Sequence, residues 1–131
     1  MKISKKAYYG LRASLALLET KKPLSIHVLA EKEGIPEDYL EKILQALRRQ
    51  NLLEAERGTK GGYRIKKNNL SAWDIISTLD GPLKLYPSLI KGSLPCFQPT
   101  HCQTNTIFRE LEENLELTLK NIHLTSLINQ K

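Results

Sequence analysis

The sequence predicts a mainly α-helical protein with one small β-hairpin. Three observations predict this class. Apolar residues recur at three- and four-residue spacing over most of the chain, which is the period of a helix. One stretch, 51–67, lacks that period and is rich in glycine. The net charge is +6, and the basic excess lies in residues 1–67, which carry +7, whereas 68–131 carry −1. A polyanion-facing half and a half with another task are therefore expected.

The first two helices are predicted to begin at serine N-caps. Ser4 precedes a segment with helical spacing, which predicts a helix from about 5 to 20. Pro23 ends that segment. Ser25 then begins a second helix, which Gly34 stops after barely two turns.

A third helix follows after the short connection Gly34-Ile35-Pro36, over 37–51. Its apolar face consists of Leu40, Ile43, Leu44 and Leu47. Two short helices joined by a tight turn containing glycine are typical of a helix-turn-helix, and also of an ordinary αα-hairpin. The residues that follow favour the helix-turn-helix.

The stretch RGTKGGYRIKK, residues 57–67, has five basic residues, three glycines and no acid. Leu52, Leu53 and Ala55 predict one strand before its glycines, and Tyr63 and Ile65 predict a second after them. A helix-turn-helix followed by a basic hairpin is a winged helix-turn-helix, whose cations meet phosphates or a narrow minor groove. The glycine spacing does not match a P-loop, and no helix is predicted directly after the glycines, as a dinucleotide-binding fingerprint requires.

A fourth helix is predicted after the hairpin. Ser71 is its N-cap, Asp74 lies in its first turn and Gly81-Pro82 ends it. Trp73 is interpreted as a core anchor. Residues 83–106 then form an irregular stretch that contains both cysteines, and a loop of this length in a small domain is often functional.

The last predicted element is a long amphipathic helix within 107–131. Its apolar stripe predicts a dimer interface with a second copy of the chain, and burial against its own winged domain is the alternative. The expected interface residues are Ile107, Phe108, Leu111, Leu115, Leu119 and Ile122. The expected organisation is a DNA-binding domain over 1–82, a sensor loop over 83–106 and a dimerisation helix and tail over 107–131.

Three stretches, MKISKKAYYGLRA, YLEKILQALRRQNLLEAERGTKGGYRI and SAWDIISTLDGP, resemble the Rrf-two family of bacterial winged-helix transcriptional regulators, which includes IscR, NsrR and CymR. The resemblance extends from Met1 to about Asn129. Its most specific part is Tyr39-Leu40-Glu41, followed by Arg57-Gly58 and Gly61-Gly62-Tyr63. It implies a dimeric transcription factor, commonly a repressor, with the long C-terminal helix as dimer interface.

The resemblance also implies roles for individual residues. The recognition helix begins near Pro36, Glu41 matches an acidic residue that reads bases, and Arg57 matches a wing arginine that enters the minor groove. A carboxylate accepts from cytosine N4, and Lys42 is able to donate to guanine. The full set of expected DNA-binding residues is Pro36, Glu37, Asp38, Tyr39, Glu41, Lys42, Arg48, Arg49, Arg57, Lys60 and Arg64.

The sequence departs from the family at the expected sensing site. Alignment of the family's cluster-binding motif places cysteines at Cys96 and Cys102, but Ile90 and Asn105 at the other two ligand positions. Two thiolates do not complete the usual four-ligand set of an iron–sulphur cluster. The open alternatives are a cluster completed by His101 or a second subunit, a Cys96–Cys102 disulfide, a zinc ion held with His101, and a loop without a cofactor.

The first function hypothesis is a homodimeric, sequence-specific DNA-binding regulator. Its affinity for double-stranded DNA is then set by a redox or iron–sulphur signal at the Cys96–Cys102 loop. The alternative is a winged-helix adaptor that binds proteins, or a cofactor-free regulator that senses a partner or metabolite. No catalytic motif supports an enzyme. Two cysteines and no apolar run of about 18–20 residues predict a cytoplasmic protein that does not enter the membrane.

Overall fold

The computed structural model describes residues 2–58, 61–85 and 103–128. In these ranges the chain forms six helices and one two-stranded antiparallel sheet, which confirms the mainly helical class with a single hairpin. None of the helices described is long and apolar enough to span a bilayer. In chain order the elements are α1 (Lys5–Thr20), α2 (Ile26–Glu33), α3 (Glu37–Arg49), β1 (Leu53–Glu56), β2 (Gly62–Ile65), α4 (Ala72–Asp80), α5 (Gln103–Lys120) and α6 (Leu124–Ile128).

Serine side chains begin three of the helices, as the sequence predicts. The hydroxyl oxygens of Ser4, Ser25 and Ser71 each accept a hydrogen bond from the backbone N–H three residues further on. Each cap satisfies one of the N–H groups that the first turn of a helix leaves without a partner. Gly34 adopts the left-handed conformation that ends α2. These four helix boundaries therefore follow from local chemistry.

The core is built from the apolar faces of α1, α3 and α4. All four residues of the predicted apolar face of α3 are buried: Leu40, Ile43, Leu44 and Leu47. Trp73 packs against this core from α4, in agreement with its interpretation as an anchor. The amphipathic pattern of α3 thus fixes which side of that helix remains available for function.

The hairpin is held to the helices by a backbone contact that the sequence does not indicate. Within the hairpin, Leu53 faces Ile65 and Ala55 faces Tyr63. On its other edge, Tyr63 N donates to Leu24 O at 2.7 Å and Leu24 N donates to Tyr63 O at 3.0 Å. Leu24 lies in the connection between α1 and α2, so the hairpin is fixed to the start of the helix-turn-helix.

The C-terminal helix differs from its prediction at both ends. It begins at Gln103, inside the stretch expected to be irregular, because a first turn of polar residues carries no apolar period. It ends at Lys120, so Ile122 lies beyond the helix on whose stripe it was placed. The helix ends there because the backbone turns toward the segment before α4. Ala72 N donates to Ile122 O, and Leu124 N donates to Leu70 O, both at 2.9 Å.

The carboxylate of Asp74 links the end of the hairpin to α4. It accepts from Lys67 Nζ at 2.8 Å and from Ser71 N at 2.9 Å, and it completes a capping box with Ser71. Burial acts to raise the pKa of the Asp74 carboxyl, but the hydrogen bonds from Lys67 and Ser71 outweigh it. The pKa of Asp74 consequently lies below its ordinary value.

A depressed pKa makes the Asp74 contribution to stability depend on pH. The contribution is fully present above the unfolded pKa of about 4 and is lost as pH falls through the lower folded value. We expect Asp74→Asn to lower the free energy of unfolding at pH 7. The difference from the wild type should shrink as pH falls below about 4. Urea unfolding of both proteins at a series of pH values tests this, and a constant difference across the series would contradict it.

Candidate nucleic-acid interface

The face of α3 opposite the core is polar and exposed. It carries most of the residues expected to contact DNA, since Pro36, Glu37, Asp38, Tyr39, Glu41, Lys42, Arg48 and Arg49 are all exposed. The connection from α2 to α3 is only three residues long, from Gly34 to Pro36. Because the buried face of α3 is fixed in the core, the polar face points away from it. The major groove of DNA is wide enough to accept a helix presented in this way.

Two of these residues contact other parts of the chain. Glu37 Oε2 lies 3.4 Å from Nδ1 of His27 on α2, beside a shallow groove of about 510 Å³. Tyr39 meets Tyr9 of α1 edge to face, with ring centroids 5.9 Å apart. Glu37 and Tyr39 therefore help to fix α3 against α2 and α1 in addition to any contact with a ligand.

Residues of α1 join this surface, and sequence reasoning missed them. Lys5 and Tyr9 line a groove of about 450 Å³ together with four residues of the start of α3: Pro36, Asp38, Tyr39 and Lys42. Lys5 Nζ stands 5.6 Å from the centre of the Tyr9 ring. The only signal in the sequence was the basic, aromatic opening KISKKAYY, which has no period that assigns it to a site.

The predicted cations of the hairpin differ in their surroundings. Arg57 is exposed and forms no ion pair with any residue in the described ranges. Arg64 bonds to Glu54 directly across the hairpin and lies 3.2 Å from a carboxylate oxygen of Glu56. Lys60 lies outside the residues that the structure describes. Arg57 is thus the better candidate for an anionic ligand, because the charge of Arg64 is offset within the hairpin.

The three expected cofactor residues, Cys96, His101 and Cys102, lie outside the described ranges, as does Ile90 at one of the family's other ligand positions. Asn105, at one of the family's ligand positions, is buried in the first turns of α5, with 7% of its surface exposed. Within the described ranges, no three His, Cys, Asp or Glu residues are placed to hold a metal ion. At the family's four ligand positions one chain supplies two thiolates, because Ile90 and Asn105 are neither thiolates nor imidazoles.

The six expected dimer-interface residues do not share one surface. Ile107 and Leu111 are exposed by 58% and 46%. Leu115, Leu119 and Ile122 pack against the core of their own chain, and Phe108 is half-buried. Burial against its own winged domain therefore applies to one side of this helix, while the other side faces solvent.

Two short helices with a tight turn, an exposed polar second helix and a docked basic hairpin define a winged helix-turn-helix protein of the DNA-binding class. The model of the Rrf2 family, described as iron-dependent transcriptional regulator, matches residues 3–130. The chain belongs to this family. It is a DNA-binding transcriptional regulator and not an enzyme.

Individual relatives agree with this assignment. The chain is 30% identical over 135 residues to the HTH-type transcriptional regulator IscR of Pectobacterium atrosepticum, covering 100% of this chain and 81% of that protein. Among solved structures, it is similar to CymR, the global cysteine regulator of B. subtilis, with a TM-score of 0.82, 26% identity and coverage of 100% and 98%. IscR of T. potens gives a TM-score of 0.76, 26% identity and coverage of 100% and 89%.

Proposed function

We propose that the protein is a homodimeric, cytoplasmic repressor that binds a specific DNA sequence. The observation that supports this best is the exposed polar face of α3 beside the docked basic hairpin. A helix in the major groove reads base edges, while basic residues of the wing hold the backbone or the minor groove. Repression follows when a bound dimer covers a promoter, so the proposal requires tight binding to particular duplex sequences.

Glu41 and Lys42 are proposed to read bases. Both are exposed near the middle of the polar face of α3. Gln45 Nε2, one helical turn away, donates to Glu41 Oε1 at 3.5 Å. A carboxylate accepts from cytosine N4 and an ammonium group donates to guanine, so adjacent C and G positions are expected in the recognised sequence.

Selection from randomised duplexes tests the sequence-specific function. We expect the purified protein to enrich two related half-sites with two-fold symmetry, about one helical turn or a multiple of it apart. Glu41→Ala should relax the preference for cytosine at one position of each half-site, by about 1–3 kcal/mol of discrimination. If no sequence is enriched and no duplex is bound at low salt, the protein-binding adaptor becomes the better account.

The solvent-facing side of α5 is proposed as the homodimer interface. Ile107, Leu111, Asn114 and Thr118 are all exposed and recur at four-, three- and four-residue spacing, which defines the α5 stripe. This spacing is that of the seam between two packed helices. A second copy of the chain presents the same stripe and is the partner that a symmetric interface requires. The opposite side of α5 already packs on its own domain and is not available.

The dimer proposal predicts different results for two exposed leucines of α5. Leu111→Glu places a charge in the α5 stripe and should convert the dimer to monomers at micromolar concentrations. Leu117 is 58% exposed but lies outside the stripe, so Leu117→Glu should leave the dimer intact. Sedimentation equilibrium measures both variants. Equal mass for the two variants, whether monomer or dimer, would contradict the assignment of the stripe.

The Cys96–Cys102 loop is proposed as the place where a redox or iron–sulphur signal controls DNA affinity. It precedes α5 directly, so a change in the loop is able to alter the helix at the dimer interface. The family description, iron-dependent transcriptional regulator, and the similar structures described as the global cysteine regulator CymR and as an oxidised form of CymR support a signal connected with iron or oxidation. One chain supplies two thiols, which suffice for a disulfide and leave a cluster dependent on further ligands.

Anaerobic purification separates these signals. Visible absorption together with iron and sulphide analysis reports a cluster, and duplex affinity before and after a mild oxidant reports a disulfide. A colourless, iron-free protein that resists reconstitution excludes the cluster. If Cys96→Ser also responds to the oxidant as the wild type does, the disulfide is excluded and a partner or metabolite remains as the signal.

A further inference from the structure

We infer that α1 contributes a DNA phosphate site, the α1–α3 seat, formed by Lys5, Tyr9 and Tyr39 beside the base-reading Lys42. This inference rests on the proposed duplex binding and adds a residue set from α1 to the helix-turn-helix and the wing. Its occupant is one backbone phosphate of the duplex that α3 reads. The seat positions α3 on the DNA and carries no information about sequence.

The seat is a formed groove between two helices. It has a volume of about 450 Å³ and lies where the start of α1 passes the start of α3. Tyr9 and Tyr39 meet edge to face at 84°, and Lys5 Nζ stands over the Tyr9 ring at 5.6 Å from its centre. These aromatic and cation–π contacts restrict the side chains before any ligand arrives, which lowers the entropy lost on binding.

The charges of the seat favour a phosphate that arrives as part of a duplex. Lys5 and Lys42 supply two positive charges and Asp38 one negative charge, while Tyr9 and Tyr39 carry neutral hydroxyl groups. A balance of one positive charge at an open surface attracts a free anion only weakly. One net positive charge suffices for a phosphate of a duplex that the wing and α3 already hold. The phosphate is then kept close to the seat, at a high effective concentration.

The start of α1 is itself held in place by α4. Ser4 N donates to Asp80 Oδ2 at 2.9 Å, and the Ser4 hydroxyl donates to the other oxygen of the same carboxylate. Asp80 is the last residue of α4, so Lys5 follows directly after an anchored residue. The seat thus has a fixed position relative to α3, which is the property that a phosphate contact needs to set the register of a recognition helix.

Lys5→Gln in the full-length chain tests the seat. Fluorescence anisotropy would measure affinity for the selected duplex and for an unrelated duplex. We expect both affinities to fall by the same factor, roughly tenfold at ~50 mM salt, and the slope of log affinity against log salt to decrease by about 1. The selected sequence should not change. Lys120→Gln removes the same charge at the far end of α5 and should alter neither affinity nor slope.

Three results would overturn the seat. Lys5→Gln binding as the wild type does excludes the contact. Lys5→Gln changing the selected sequence makes Lys5 a base contact instead of a phosphate contact. Equal losses of duplex affinity in Lys5→Gln and Lys120→Gln would mean that only the net charge of the protein matters. Failure of the wild type to bind any duplex is a different outcome, because it contradicts the proposed function itself.

Discussion

Gly62→Ala is expected to detach the wing from the helix-turn-helix and to remove most of the DNA affinity. Gly62 has φ of +153°, and a Cβ at this position would lie 2.2 Å from Leu24 O and 2.3 Å from Leu24 C. These are backbone atoms, and the two hydrogen bonds between Leu24 and Tyr63 hold them in place. Strained backbone and overpacking each cost about 1–3 kcal/mol, so a combined loss of roughly 2–6 kcal/mol is expected.

Gly58→Ala is the matched control in the same hairpin. Gly58 also has a positive φ, of +110°, but a Cβ there would have no atom within 4 Å. It should therefore lose only the backbone contribution, about 1–3 kcal/mol. Urea unfolding and duplex affinity are measured for both variants at the same salt concentration. If Gly62→Ala is no more damaging than Gly58→Ala, docking of the wing through Leu24 is not required.

Arg57→Ala is expected to weaken duplex binding about tenfold or more at low salt. Arg57 is exposed and forms no ion pair with any described residue, so its charge is available to the DNA. Arg64→Ala should have a much smaller effect. Arg64 is held between Glu54 and Glu56, so its removal mainly affects the hairpin, by about 1 kcal/mol or less.

Comparison of these two arginines also tests which cation of the wing meets the DNA. Both variants lose one positive charge from the same hairpin, so a general electrostatic effect would weaken them equally. Anisotropy titrations with one duplex across a salt series separate the cases. Equal losses, or a larger loss for Arg64→Ala, would contradict the assignment of Arg57 as the contact.

The elements that could be predicted from the sequence are those with local causes. Ser4, Ser25 and Ser71 cap their own helices, and the apolar period of α3 states which face is buried. The end of α5 could not be predicted in this way. The apolar period continues to Ile122, but the backbone of Ile122 accepts a hydrogen bond from Ala72, far away in the chain. The spacing of apolar residues does not indicate such a bond.

In the candidate nucleic-acid interface, too, only the features with local causes could be predicted. Exposure of Glu41 and Lys42 follows from the helical period, and it was expected. The pairing of Arg64 follows only from the register of the hairpin, which places Glu54 directly opposite, and composition alone counts Arg64 as a free cation. The groove at Lys5 and Tyr9 arises where two helices approach, and a contact between distant segments has no local signature in the sequence.

The most direct test of duplex recognition is the affinity of the full-length protein for a selected duplex and for a scrambled duplex between about 50 and 200 mM salt. For several phosphate contacts, both affinities should fall steeply and linearly on logarithmic axes, and the selected duplex should bind more tightly throughout. Equal affinity for the two duplexes at every salt concentration, or no binding at 50 mM, would contradict a sequence-specific DNA-binding function.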